Sequence, residues 1–275
     1  MTKTTEFPYL HGFSETEQKR LRAQAEFAEF TIFQNINFSN TKKIIEVGCG
    51  VGAQTEILLR RFPKLHVTGI DLNTKQLEAA EKFIGSIAGA KGRYDFHQMS
   101  GDNLLFDAQT FDGAYLCWIL EHVPNPAQVL SEVRRVLRPG SEIIITEVMN
   151  SSFFLEPYSP HVWKYWMAFN DYQHSHAGDP FIGAKLGNLL TSVGYHQVKT
   201  EVKTWHFDNR QPSLRKQAIH FWTDLLLSAA KQLVAEKYID QETVDKAKEE
   251  LDRVANDPNA VFLYSFMQAR AQVYF

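Results

Sequence analysis

Short apolar runs alternate with segments of helical periodicity between residues 44 and 148. The runs are too short for helices, they are rich in β-branched and aromatic residues, and they cover 44–47, 65–70, 94–98, 111–118 and 141–148. Helical spacing of apolar residues occupies 53–62, 74–88 and 125–137. Because strands that alternate with helices at this interval form βαβ units, the pattern predicts a mostly parallel sheet with helices on both faces.

The flanking segments predict further elements and a division of the chain. Residues 14–34 have the spacing of an amphipathic helix, with Ser14 as its N-cap and Glu17 completing a capping box. A helix at 181–193, strands at 194–207 and 260–275, and a helical block at 212–255 follow the first unit. The chain is predicted to divide into four parts. They are an N-terminal helical segment (1–40), a core (41–150), an aromatic insertion (151–182), and a C-terminal part of the sheet (183–275) that contains a helical insertion (212–255).

Composition excludes several classes of protein. The chain of 275 residues has a formal net charge of -3, whereas nucleic-acid-binding domains are usually basic, so no nucleic-acid partner is expected. No stretch of about 18 apolar residues occurs, which argues against a membrane-spanning helix. Cys49 and Cys117 are the two cysteines, too few for a disulfide framework in a chain of this size, so we expect a cytoplasmic location.

A glycine-rich run, Glu46-Val47-Gly48-Cys49-Gly50-Val51-Gly52, lies between the first strand and the first helix of the core. Such a loop lets a ligand approach the backbone, and the following helix directs its N-terminal N–H groups toward that ligand. Gly48, Gly50 and Ala53 also satisfy a relaxed dinucleotide fingerprint. Glu46 favours a cationic ligand over a dinucleotide, because a carboxylate suits a sulfonium and an ammonium better than a pyrophosphate.

Two more acids follow the second and third strands. Asp71 ends the second strand, where a carboxylate can accept hydrogen bonds from both hydroxyls of a ribose. Asp102, in Gly101-Asp102-Asn103, follows the third strand and can accept from an adenine amino group. With Glu46, these acids would place negative charge at three successive strand ends, which predicts a cationic adenosine-containing cofactor.

Five motifs in order resemble the class I S-adenosylmethionine-dependent methyltransferases of the small-molecule type. They are 45–52, Asp71-Leu72, Gly101-Asp102, Leu120-Glu121-His122-Val123 and Leu137-Arg138-Pro139-Gly140. The resemblance is close over residues 44–148 and looser over 183–202. It implies an S-adenosyl-L-methionine cofactor with S-adenosyl-L-homocysteine as product. It also implies a Rossmann-like α/β fold with a seven-stranded mixed sheet of order 3-2-1-4-5-7-6, the last strand antiparallel, under a helical and aromatic lid.

The resemblance also implies roles for individual residues. Glu46, Gly48 and Gly50 would frame the methionine part of the cofactor, Asp71 the ribose, and Asp102 with Asn103 the adenine. The segment before the first helix would fold over the cofactor. The complete predicted cofactor-binding set is Tyr9, His11, Glu46, Gly48, Cys49, Gly50, Gly52, Gln54, Asp71, Leu72, Gly101, Asp102, Asn103 and Trp118.

The predicted acceptor is a small molecule, with N-, O- or C-methylation left open. His122 follows the fourth strand, so it is the candidate general base, and the alternative is that it shapes the loop by hydrogen bonding. The aromatic residues of the insertion are predicted either to contact the acceptor or to form the core of a small cap. Those proposed for acceptor binding are Phe153, Tyr158, Trp163, Trp166 and Tyr172.

Other features leave further alternatives. Phe221, Trp222 and Leu225 begin an apolar stripe whose spacing favours core packing, in a monomer or at a homodimer interface. His161, His174 and His176 match no zinc spacing, so no metal is predicted. An NAD-dependent oxidoreductase and a non-catalytic S-adenosylmethionine-binding module are the competing functions. The sequence has no recognisable hydride-transfer set such as a Tyr-x-x-x-Lys helix, which disfavours the oxidoreductase.

Overall fold

A computed structural model describes residues 12–274 of the chain. The described residues form eight helices: α1 (Glu15–Ile32), α2 (Ala53–Arg61), α3 (Thr74–Gly85), α4 (Pro126–Val136), α5 (Pro160–Ser175), α6 (Leu186–Ser192), α7 (Pro212–Ala235) and α8 (Gln241–Asn256). They form eight strands: β1 (Lys43–Val47), β2 (His66–Asp71), β3 (Tyr94–Gln98), β4 (Phe111–Cys117), β5 (Leu137–Val148), β6 (Phe154–Glu156), β7 (His196–Phe207) and β8 (Val261–Gln272).

The strands build one mixed sheet. Strands β3, β2, β1, β4 and β5 lie side by side and parallel, and β8 pairs antiparallel with β5. Strand β7 lies on the other side of β8, while the three-residue β6 pairs with β8 beyond the end of β5. With β6 set aside, this is the predicted order, and the antiparallel last strand is confirmed. The sequence analysis did not predict β6, because three residues are too few to show a period.

The central strands β1, β4 and β5 are buried on both faces, which explains their apolar, β-branched sequences. In β1, Ile44 belongs to the apolar cluster on one face and Ile45 to the cluster on the other. In β5, Ile144 belongs to the same cluster as Ile44, and its neighbours Ile143 and Ile145 belong to the same cluster as Ile45. Because successive side chains of a strand point to opposite faces, a strand covered on both sides reads as a continuous apolar run.

Helices α5, α7 and α8 pack together as a cap beside the sheet. Glu250 of α8 fastens the start of α5, since its Oε2 accepts the backbone N–H groups of His161 and Val162 at 2.9 and 3.0 Å. These N–H groups belong to the first turn of a helix and have no partner within it. The predicted aromatic insertion therefore contributes β6 and α5, and it shares its core with the two later helices.

Helix α1 begins as predicted, with the Ser14 hydroxyl accepting from the Glu17 backbone N–H at 3.2 Å. The Glu17 carboxylate pairs with Arg20 at 2.6 Å. The helix packs against α2, α7 and β7, which places it between the core and the cap. Among residues 12–274, no helix is long and apolar enough to cross a membrane.

Candidate active site

A cavity of about 850 Å³ opens at the carboxyl ends of the parallel strands. Its wall includes the loops that follow β1, β2, β3 and β4, together with side chains from α1, α5 and α7. Strand β1 has β2 on one side and β4 on the other, so the cavity lies where the strand order reverses. Ligands of open α/β sheets bind in this crevice, and the volume is typical of small-molecule sites.

The glycine loop forms one wall of the cavity at Gly48, Cys49 and Gly50. Gly48 and Gly50 have φ angles of +74° and +51°, a region that residues with a Cβ rarely adopt. A Cβ on Gly50 would meet no heavy atom within 4 Å, so the loop leaves open space for a ligand at this point. Gly52 does not line the cavity. It begins α2 at φ +74°, and a Cβ there would lie 3.0 Å from Ile84.

Asp71 lines the cavity at the end of β2, as predicted. Its Oδ2 accepts the backbone N–H of Gly50 at 3.0 Å and its Oδ1 accepts that of Asn73 at 2.9 Å. Burial raises the pKa of this carboxyl, and the backbone N–H groups of Asn73, Gly50 and Leu72 oppose that shift. Because each carboxylate oxygen can accept two hydrogen bonds, both oxygens keep capacity for ligand hydroxyls.

Glu46 lies near the end of β1 and is not part of the cavity wall. Its side chain is behind the glycine loop, with 3% of the residue exposed, and its Oε2 accepts from the Thr55 hydroxyl at 2.5 Å. Burial raises its pKa to about 8, the Thr55 hydrogen bond opposes this, and the charge of Asp71 adds to it. A raised pKa favours the neutral carboxyl, and the hydrogen bond to Thr55 gives Glu46 a structural role, while its predicted contact with the methionine part of the cofactor stays a prediction.

The remaining predicted cofactor residues divide between the cavity wall and the surface. Gln54, Leu72, Gly101, Asp102 and Trp118 line the cavity, with Leu72 at its rim. Trp118 has a φ of +54°, an unusual conformation for a large side chain that is common at functional sites. Asn103 is exposed, outside the cavity wall. Tyr9 and His11 lie outside the described residues.

Comparison with known proteins supports this site. Residues 45–145, which supply most of the loops at the strand ends, match the family model of the methyltransferase domain. Residues 45–145 of the chain form a class I S-adenosylmethionine-dependent methyltransferase domain. The O-methyltransferase cnsE of Penicillium expansum is 28% identical over 212 residues, which cover 75% of this chain and 71% of that protein. Three further curated methyltransferases match over 36% to 47% of their own length, so the chain spans less than half of these relatives.

Solved structures share the fold of this methyltransferase. Phosphoethanolamine N-methyltransferase 2 of Haemonchus contortus, in complex with S-adenosyl-L-methionine, is similar with a TM-score of 0.56 at 15% identity, over 92% of this chain and 53% of that one. The [4+2]-cyclase SpnF is similar with a TM-score of 0.54 at 20% identity, over 92% and 81% of the two chains. A shared fold therefore does not specify the reaction, and the substrate must be inferred from the side chains of the cavity.

The methyltransferase cavity continues from the glycine loop into a compartment between the sheet and the cap, which we name the acceptor chamber. It is defined by Glu121, Trp166, Phe169, Trp205, Trp222 and Tyr264, which all line the cavity. His122 also lines it, and its Nε2 lies 3.5 Å from Oε1 of Glu121. The predicted base therefore stands beside a second ionisable group.

The structure separates the five aromatic residues predicted for acceptor binding. Trp166 and Tyr172 line the cavity. Phe153 instead lies in the core of the cap, stacked on Trp222 with ring centroids 5.1 Å apart, and Trp163 packs against Phe153. Tyr158 is 69% exposed. Phe153 and Tyr158 precede α5, and on α5 itself Trp166 and Tyr172 face the cavity while Trp163 packs against Phe153.

Several residues of the chamber were not predicted from the sequence. Trp205 and Tyr264 come from β7 and β8, far along the chain from the motifs. Trp222, assigned to packing by its spacing, both packs in the cap and lines the cavity. Glu121, which precedes the candidate base His122 in the sequence, was not predicted as a site residue. In the described part of the chain, no group of three or more His, Cys, Asp or Glu side chains is placed to hold a metal ion.

Proposed function

We propose that this methyltransferase transfers the methyl group of S-adenosyl-L-methionine to a small-molecule acceptor that binds in the acceptor chamber. The observation that carries this proposal is the continuity of the cavity, because one space joins the glycine loop and Asp71 to the aromatic chamber under the cap. The names of curated relatives, such as the O-methyltransferase cnsE, agree with a small-molecule acceptor.

The cofactor would be held by residues at the ends of three strands. We assign Asp71 to the ribose hydroxyls, since both of its oxygens retain hydrogen-bonding capacity. The open face of Gly50 and the neighbouring Gly48 and Cys49 would receive the methionine part. Gly101 and Asp102 line the cavity beyond β3 and would contact the adenine. When bound, the cofactor supplies an electrophilic methyl group on a sulfonium.

The contribution of the protein to such a reaction is mainly placement and the exclusion of water. Holding two reactants in line can contribute about 7–11 kcal/mol to the lowering of the barrier. Trp118 stands at the junction of the two compartments, with its ring 6.0 Å from that of Phe266 and 6.4 Å from that of Trp205. We assign the cap to closing the acceptor chamber over the acceptor. We assign His122 to the wall of this chamber, where it positions Glu121.

Two measurements test the proposed function. S-adenosyl-L-homocysteine should raise the melting temperature, because a ligand at 100 times its Kd stabilises the native state by about 2.7 kcal/mol, while NADH should have no effect. The enzyme incubated with methyl-labelled S-adenosyl-L-methionine and a metabolite extract should transfer label to small molecules. A response to NADH alone, or label in no small molecule although the homocysteine product binds, would contradict the proposal.

We also propose a cytoplasmic location and a monomer or homodimer. Both cysteines are free thiols, with Cys49 buried, as is usual in a reducing compartment. Sedimentation analysis of the purified protein would measure the oligomeric state, and a higher assembly would contradict the proposal.

A further inference from the structure

The acceptor chamber is mostly aromatic, which constrains what it can bind. Rings of Trp166, Phe169, Trp205, Trp222 and Tyr264 contribute to its wall. The indole of Trp222 is held at 4.6 Å from the Tyr264 ring and 5.1 Å from the Trp166 ring, measured between centroids. Such a preformed wall favours an apolar acceptor with a ring of its own, because aromatic pairs gain from packing and from their quadrupoles.

Glu121 is the acid of this chamber, and its side chain is fixed. The residue is 7% exposed, and its Oε2 accepts from Nε2 of Gln173 on α5 at 2.7 Å. Its backbone oxygen accepts from the Asp179 N–H at 2.9 Å, which ties the loop after β4 to the end of the cap. Because one hydrogen bond to Oε2 uses a fraction of the acceptor capacity of a carboxylate, Glu121 can still accept a proton from a ligand.

A second buried carboxyl lies next to Glu121. Oε1 of Glu147 accepts the backbone N–H groups of Ile119 and Leu120 at 2.9 and 2.7 Å. Burial, and then the charge of Glu121, raise the pKa of Glu147 well above its usual range. At neutral pH Glu147 therefore keeps its proton, and the charge of Glu121 is one of the two causes.

The distribution of cations argues against an acidic acceptor. Arg20 and Lys75 are the Arg and Lys side chains among the described residues of the cavity wall. They belong to α1 and α3, and the Gln18 to Gln76 hydrogen bond of 3.3 Å holds the starts of these two helices together. Arg20 is paired with Glu17 at 2.6 Å, and Lys75 lies in the first turn of α3, just after Asp71 in the chain. A carboxylate or phosphate in the acceptor chamber would therefore meet Glu121 without a compensating Lys or Arg.

The same carboxylate favours a hydroxyl over an amine. A buried carboxylate stabilises the ammonium form of an amine, which lacks the lone pair needed for attack. A neutral hydroxyl keeps its lone pairs, and a hydrogen bond to a carboxylate makes its oxygen more nucleophilic. Glu121 would therefore oppose the methylation of an amine and promote that of a hydroxyl.

Resting on the proposed function, we propose that the acceptor is an uncharged, ring-bearing molecule with an ionisable hydroxyl, and that the Glu121 carboxylate takes the proton of that hydroxyl. The O–H bond breaks and its proton moves to Glu121. The oxygen forms a bond to the methyl carbon, and the C–S bond breaks with its electron pair left on sulfur. One positive and one negative charge disappear together, and the protonated Glu121 later releases its proton to solvent.

A set of probes with one ring system and three charges tests the acceptor class. The enzyme saturated with S-adenosyl-L-homocysteine is titrated with 2-naphthol, 2-naphthylmethylamine and 2-naphthoate, and binding is followed by calorimetry. We expect 2-naphthol to bind at least tenfold more tightly than 2-naphthoate, and 2-naphthol alone to be methylated when the donor is supplied. Stronger binding of 2-naphthoate, absence of 2-naphthol binding, or methylation of the amine would overturn the proposal.

The Glu121→Gln variant tests the role of the carboxylate, with the exposed Glu249→Gln on α8 as the matched control. We expect Glu121→Gln to retain 2-naphthol affinity within about threefold and to lose methyl transfer by at least about 100-fold, the usual contribution of a general base. Absorbance should also show that the bound naphthol ionises at lower pH in this variant, because a neighbouring negative charge is gone. Naphthol ionisation or methyl-transfer rates unchanged from wild type would refute the role of Glu121.

The effect of Glu121 on methyl transfer must be distinguished from the effects of the ionisable groups around it. They are Glu147 and Cys117 on the sheet, Tyr264 on β8 and His122 in the same loop. At one fixed pH, Glu121→Gln should lose more methyl transfer than His122→Gln, and the reverse order would contradict the proposal. Loss of S-adenosyl-L-homocysteine binding by the wild-type enzyme would instead refute the proposed function, so the two failures are distinguishable.

Discussion

Replacing Glu46 by Gln should change how the stability of the protein depends on pH. The unfolded chain releases the Glu46 proton near pH 4.5, and the folded protein holds it until about pH 8. Between these values the folded state binds the extra proton, so a rise in pH favours unfolding. The stability that Glu46 contributes is thus complete below about pH 4.5 and is lost as the pH rises to 8. Gln can still accept the Thr55 hydrogen bond and does not titrate.

The linkage relation gives the size of this effect. With pKa values of 4.5 in the unfolded and about 8 in the folded state, Glu46 costs the wild type about 3.5 kcal/mol between pH 5 and pH 8. Urea unfolding of both proteins at the two pH values measures it, because all other groups titrate alike in both. We expect the free energy of unfolding of wild type to fall by about 3–4 kcal/mol relative to Glu46→Gln. Parallel changes, within about 0.5 kcal/mol, would show that Glu46 is ionised in the folded protein and would refute the reasoning.

Two further substitutions separate ligand binding from packing. Gly50→Ala should weaken S-adenosyl-L-homocysteine binding at least tenfold in calorimetry, because its Cβ would enter the open space of the loop, and it should cost only about 1–2 kcal/mol of stability for its φ of +51°. An unchanged Kd would argue against ligand approach at this glycine. Trp222→Ala should cost about 3–5 kcal/mol in urea unfolding, because this buried ring contacts Phe153 and Tyr264. A loss below about 1 kcal/mol would mean that the cap does not depend on that ring.

The order of the sheet could be predicted because its signals are local. Each strand of the core is marked by a short β-branched run, and each helix by apolar residues three and four positions apart. The resemblance at five motifs was then enough to order the strands. Asp71 was predicted for the same reason, since the end of a parallel strand fixes which edge of the sheet its side chain reaches. The three-residue β6 carries no such signal.

The role of Glu46 could not be predicted from its place in the motif. The motif shows that an acid precedes the glycines, and it is Thr55, on the following helix, that draws the side chain behind the loop. The cofactor class inferred from Glu46 is confirmed, whereas the contact of Glu46 with that cofactor stays a prediction.

The acceptor chamber depends on contacts between distant parts of the chain. Trp205 on β7 and Tyr264 on β8 reach the cavity only because β8 inserts between β5 and β7. The density of aromatic residues between 151 and 180 did not show which of them face the cavity, so Phe153 and Trp163 were expected in the site and pack against each other in the cap. Glu121 is identified as a candidate by its surroundings in the fold, where Gln173 and Glu147 lie next to it.

Calorimetric titration of S-adenosyl-L-homocysteine into wild type and Asp71→Asn tests most directly whether this cavity holds the adenosyl cofactor. Asparagine keeps the size of the side chain but loses the charge that ribose hydroxyls would meet, and a hydrogen bond to a charged group contributes about 1.5–3 kcal/mol. We expect the wild type to bind one molecule per chain and the variant to bind at least tenfold more weakly, with a lower melting temperature in the absence of ligand, because the amide nitrogen of asparagine cannot accept one of the two backbone N–H groups that Asp71 accepts. Equal affinity in the two proteins, or no binding by wild type, would contradict the site described here.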